Sequence, residues 1–132
     1  MAGETDLRKL LADMRPVLNP GRFVYCTFTG RAPAGLRPVA TVAEPEGLTA
    51  VLEQEEADAL GLSYDYVAAW ITLRIHSALS AVGLTAAVAG RLTEHGISCN
   101  VVAGFHHDHL FVTADDAERA VRALEELAAE SS

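Results

Sequence analysis

Two clusters of side chains in this sequence carry the residue types from which a binding site could be made. The first is His76-Ser77, followed six residues later by Gly83-Leu84-Thr85. There the chain passes from a strand-like alternation into a helix-like repeat, and a helix that starts after such a loop presents unpaired N–H groups and the positive end of its dipole. That combination holds a carboxylate or a phosphate. Ser77 and Thr85 could donate to the anion or cap the helix, and Gly83 could let a ligand approach the backbone or simply relieve crowding at the helix start. The second cluster is Gly104-Phe-His-His-Asp-His109. Asp108 suits an ammonium or guanidinium group, or could hold its own turn. Phe105 could flank an aliphatic stem, and His106 and His107 add titratable rings.

Other chemistry finds less to work with. His107 and His109 would share a face if extended, as metal-binding pairs sometimes do, but no further ligand follows at diagnostic spacing. Cys99 and His106 are a conceivable nucleophile and base, yet Cys99 falls on the apparent core side of a strand, where a thiol is inert. The chain has no phosphate loop, no Gly-x-Ser-x-Gly elbow and no Cys-x-x-Cys. Nothing in it points to a cofactor.

The elements that must position these clusters follow from hydrophobic periodicity. Val67, Ala69, Ile71, Leu73 and Ile75 alternate with Trp70, Thr72, Arg74 and His76, which predicts a strand. At Leu84 the period changes to that of a helix, carried by Leu84, Ala87, Val88 and Leu92 and ended by Gly96. A strand over Ile97–Ala103, a second over Leu110–Thr113 and a last helix with Ala117, Ala120, Val121, Leu124 and Leu127 on its buried stripe complete this half, with Thr113-Ala-Asp-Asp116 read as a capping-box start. Earlier, Leu7, Leu10, Leu11 and Met14 mark a short helix capped by Thr5 or Asp6. Strands are expected over Arg22–Thr29, Val39–Ala43 and Leu48–Glu53, the last two joined by a turn at Glu44-Pro-Glu-Gly47. A short acidic helix is expected over Gln54–Leu60.

The order from Val67 onward is βαββα, a split βαββαβ unit without its final strand. A strand from the N-terminal half or from a second chain could supply it and cover the open edge. The expected fold class is α+β, ferredoxin-like, with antiparallel sheet covered by helices on one face.

Composition narrows the partners. Half of the 132 residues are apolar, enough to bury a sizeable core, and the formal net charge is −8. That charge argues against nucleic acid and against an anionic membrane surface, because both need clustered Lys and Arg. No apolar run approaches the ~20 residues of a membrane span, and the first residues lack the pattern of a signal peptide. Cys26 and Cys99 read as buried free thiols. The expectation is a soluble, cytoplasmic, acidic protein.

Several of these stretches resemble a known family. Val82-Gly-Leu-Thr-Ala86 resembles the loop-to-helix junction of ACT domains, small regulatory modules that bind amino acids, although Val82 stands where that pattern often has proline. Trp70–Ala86 and Gly96–Val112, with Phe23-Val-Tyr25 and Glu46-Gly-Leu-Thr49 in the first half, resemble small bacterial proteins with tandem ACT-like halves. The arrangement is similar to that of the cytosolic arginine sensor of animal cells, whose ligand lies between ACT domains near a His-Ser-like loop and an aspartate in an Asp-His-like turn. The resemblance implies two halves, residues 1–65 and 66–132, non-catalytic amino-acid sensing, and a homodimer or higher homo-oligomer assembled through sheet edges or faces. On this reading His76, Ser77, Val82, Gly83, Leu84, Thr85, Phe105, His106 and Asp108 surround a free amino acid. The alternatives are a protein-interaction module whose pocket Val82 or Phe105 fills, and a metal-binding protein using His106, His107 and His109.

Overall fold

The structure, a computed structural model, describes residues 6–132. Its helices are α1 (Leu7–Ala12), α2 (Gln54–Ala59), α3 (Leu84–Glu94) and α4 (Ala117–Ser131). Its strands are β1 (Pro16–Leu18), β2 (Phe23–Phe28), β3 (Ala40–Glu44), β4 (Gly47–Glu53), β5 (Val67–Leu73), β6 (Cys99–Ala103) and β7 (Asp108–Thr113). The chain forms two compact units. One joins the N-terminal segment through Pro20 to Ala69–Ser132, and the other is Gly21–Ala68.

In the first unit the strand order is β1-β5-β7-β6. The sequence shows no strand at Pro16–Leu18, because three residues carry no readable alternation. They nevertheless pair antiparallel with β5, Pro16 opposite Leu73 and Leu18 opposite Ile71. Proline is tolerated there because its missing N–H lies on a strand at the sheet's edge. Asn19 fixes the pairing: its backbone N–H donates to the Trp70 carbonyl at 2.8 Å, and its side-chain amide donates to Thr72 Oγ1 at 2.9 Å. β1 thus takes the place of the missing final strand of the βαββα unit, so the N-terminal half supplies it.

The helices α1, α3 and α4 cover one face of this sheet. Leu10, Leu11 and Met14 join Ala69, Ile71 and Leu73 of β5, Leu84, Val88 and Leu92 of α3, and Ala120, Leu124 and Leu127 of α4 in one buried cluster. α1 begins at Asp6, whose carboxylate accepts from the Lys9 N–H at 3.2 Å; the alternative cap, Thr5, lies outside the described residues. The capping box expected at Thr113 does not form. A single 3-10 turn, Ala114–Asp116, intervenes, and neither Thr113 nor Asp116 caps the helix with its side chain. Cys26 and Cys99 are free thiols, the first buried and the second half-buried, and burial raises the pKa of both.

In the second unit, β3-β4-β2 form an antiparallel meander, and β2 continues onto the start of β5 through Phe23–Ala68 and Val24–Val67. Val24, Cys26, Ala50 and Leu52 pack with Ala57 of α2. Pro45 and Glu46 form the tip of the expected β3–β4 hairpin. Among the described residues no helix is long and apolar enough to cross a membrane.

Candidate functional site

The loop after β5 reaches α3 at Gly83, which adopts φ +103°. That conformation is strained for any residue with a Cβ. A Cβ there would also stand 3.0 Å from Leu7 Cδ2 of α1, so the glycine fits the loop beneath the first helix. Leu84 follows, 4% exposed, and anchors the start of α3 in the core, while Thr85 is exposed. No side chain caps α3.

Facing this helix start is the β6–β7 hairpin. Its connection is closed by the Gly104 N–H donating to the His107 carbonyl at 2.9 Å. A Cβ at Gly104 would lie 2.8 Å from that carbonyl oxygen, so only glycine fits without a shift. β7 begins at Asp108, two residues earlier than the apolar run suggests, with Asp108 opposite Ala103. Asp108 is therefore held by a strand and not by a turn. The Ser77 hydroxyl donates to its Oδ2 at a long 3.4 Å.

A cavity of about 120 Å³ lies between these elements, lined by Ser77, Gly83, Leu84, Thr85, Ala103 and Asp108 among others. Five of the nine residues expected around a ligand meet there. The other four do not line it. His76, Phe105 and His106 form a ring cluster, with His76–His106 centroids 5.7 Å apart and Phe105–His106 edge-to-face at 5.1 Å. Val82 and Phe105 are 82% and 70% exposed, and neither lines the cavity.

The histidines of the hairpin diverge. His107 Nδ1 sits 3.4 Å from the Ile75 carbonyl, whereas His109 turns to the other face of the sheet. Among the described residues no three His, Cys, Asp or Glu side chains are grouped to hold a metal ion, which removes the geometric basis for a centre built on His106, His107 and His109. His106 and His107 lie in the β6–β7 connection, outside the strand, whereas His109 is inside β7, one residue on from Asp108 and so on the face opposite to it.

On that opposite face lies a polar network that the sequence does not announce. Trp70 Nε1–H donates to His109 Nδ1 at 3.0 Å, and Thr72 Oγ1 lies 3.1 Å from the same nitrogen. Trp70 also stacks on Phe111, with centroids 6.2 Å apart. Burial lowers the pKa of His109, helped by His107 and opposed by Asp108. The only advance signal was the alternation that put Trp70 and Thr72 on one side of β5. The second unit carries a wider recess of about 710 Å³, and no loop-to-helix junction marks it in the sequence.

Family comparison agrees with this architecture. Residues 2–69 match one ACT-domain model and residues 66–126 match another. The chain belongs to the ACT-domain family, whose members are typically non-catalytic regulatory modules that bind amino acids and often oligomerise. The two matches overlap over residues 66–69, whereas the compact units are divided differently, because the N-terminal segment packs with the second half.

Among solved structures, the chain is similar to a Vibrio cholerae protein of unknown function described as a possible transport protein. They share 49% identity over 94% of this chain and 97% of that one, with a TM-score of 0.85. An Agrobacterium tumefaciens protein matches at 20% identity over 86% of this chain and 87% of its own, with a TM-score of 0.67. The regulatory subunit of aspartate kinase from Thermus thermophilus, in its ligand-free form, shares the fold. It is 10% identical over 85% of this chain and 95% of its own, with a TM-score of 0.64. No curated protein matches the chain.

Proposed function

We propose that this protein is a non-catalytic regulatory module that binds a free amino acid in the cavity between the start of α3 and Asp108. The observation that carries the reading is the convergence of Ser77, Gly83, Leu84, Thr85 and Asp108 on one cavity of about 120 Å³. The N–H groups of the α3 start suit the ligand's carboxylate, and the half-buried Asp108 suits its ammonium or a cationic side chain. Drug-sized ligands occupy pockets of roughly 300 Å³ or more. A cavity this small takes the polar head of an amino acid and leaves the side chain outside it. Leu79 at the cavity, Val82 in the same loop and Phe105 in the β6–β7 connection are exposed, at 66%, 82% and 70% respectively. These apolar side chains support assembly with a second copy, which would cover the ligand and let binding bias the packing of the units.

The test is thermal unfolding against the twenty amino acids, each at millimolar concentration. A ligand that binds only the folded chain at a hundred times its Kd adds about 2.7 kcal/mol of stability. One selective upward shift that is lost in a folded Asp108→Ala variant is the expected result. A flat response, or an equal shift in the variant, overturns the reading.

A further inference from the structure

The recess of about 710 Å³ in the second unit lies within the size range of small-molecule pockets, and none of its lining residues belongs to the cavity at α3. We propose that it is a separate binding site for a small organic cation, a protonated amine carried on an aromatic or aliphatic body. Its polar residues set the sign of the charge. Glu44 and Asp65 line it, and no Lys, Arg or His does, so a cation meets two carboxylates and no competing positive group. The formal net charge of −8 strengthens the bias toward cations.

Its walls suit the ligand's body. Tyr25 and Tyr64 contribute rings whose faces attract cations. Tyr64 is fixed in place, its hydroxyl donating to Asp58 Oδ1 at 2.7 Å and accepting from Gln54 Nε2 at 3.1 Å. Tyr25 is steadied by an edge contact with Tyr66, centroids 6.2 Å apart. Thr27, Thr49 and Val42 form a cross-strand row along the recess, since Thr49 is opposite both Thr27 and Val42. The Thr49 hydroxyl donates to Glu44 and holds that carboxylate at the end of the row. A ligand whose orientation is fixed by groups already in position binds with less ordering cost.

The experiment is an amide NMR titration of the full chain with phenethylammonium, with phenylacetate as the matched anion. Saturable shifts confined to residues 25–27, 42–49 and 63–65 with the cation only, weakened at least tenfold in the Glu44→Gln/Asp65→Asn double variant, are expected. Both substitutions keep side-chain size at exposed positions, and a well-dispersed spectrum of the variant shows that it folds. Lack of saturation at millimolar probe, equal binding of phenylacetate, or unchanged affinity in the double variant overturns the proposal. Shifts at the same residues that follow protein concentration and not the probe assign the recess to a second copy and also overturn it. Shifts confined to Ser77 and Asp108 refute this site while leaving the amino-acid reading intact.

Discussion

His109→Phe tests the network on the outer face of β5 and β7. The replacement keeps a ring beside Trp70, whose centroid lies 5.7 Å from that of His109, but removes the acceptor shared by Trp70 Nε1–H and Thr72. A typical hydrogen bond contributes a net ~0.5–1.5 kcal/mol, and Thr72 is only 7% exposed, so its hydroxyl is poorly placed to recover the loss from water. The expected cost at pH 8 is ~1–2 kcal/mol. With an unfolding entropy of ~2.1 cal/mol/K per residue over 132 residues, that lowers the midpoint by about 4–7 °C.

The same nitrogen makes the cost depend on pH. Burial holds the pKa of His109 below its ordinary value, so the unfolded chain binds the proton more readily. Wild-type stability is therefore full above pH ~6.5. It falls as the pH drops below that and levels off below the folded pKa. The slope stays under the limit of ~1.4 kcal/mol per pH unit because His109 is only half-buried and solvent screens it. The variant lacks this contribution, so the gap between the two proteins narrows from pH 8 to pH 5. Urea unfolding followed by the fluorescence of the single tryptophan, Trp70, measures both effects. A gap that stays constant or widens on acidification would refute the assignment of Nδ1 as the acceptor.

Two further substitutions test the positioning of the cavity. Gly83→Ala places a Cβ at φ +103° and 3.0 Å from Leu7 Cδ2, and is expected to cost ~1–3 kcal/mol in chemical unfolding. An unchanged midpoint would mean that the loop adopts another conformation. Asn19→Ala removes the side-chain hydrogen bonds to the Trp70 carbonyl and Thr72 Oγ1 and is expected to cost ~1–2 kcal/mol, with faster amide exchange in β1 than in the centre of β5. Equal protection of the two strands would show that β1 is held by other contacts.

Sequence alone determined the elements whose periodicity runs over several residues. The alternation of β5 and the switch of period at Leu84 located a strand, a loop and a helix with their buried faces, because each apolar residue reports the same local geometry. The βαββα order then defined a ferredoxin-like unit lacking one strand. The types of Ser77, Gly83, Thr85 and Asp108 marked them as a candidate site before any contact was known. Tertiary structure decided what depends on residues distant in the chain. β1 is too short to show a pattern, and only its hydrogen bonds to β5 make it a strand. The start of β7 at Asp108 follows from its register with Ala103, which leaves His107 in the connection and lets alternation along the strand put His109 opposite Asp108 and beside Trp70. Side-chain type is local, but register and burial are set by which segments meet, and a chain announces such meetings only where its own pattern is long enough to require them.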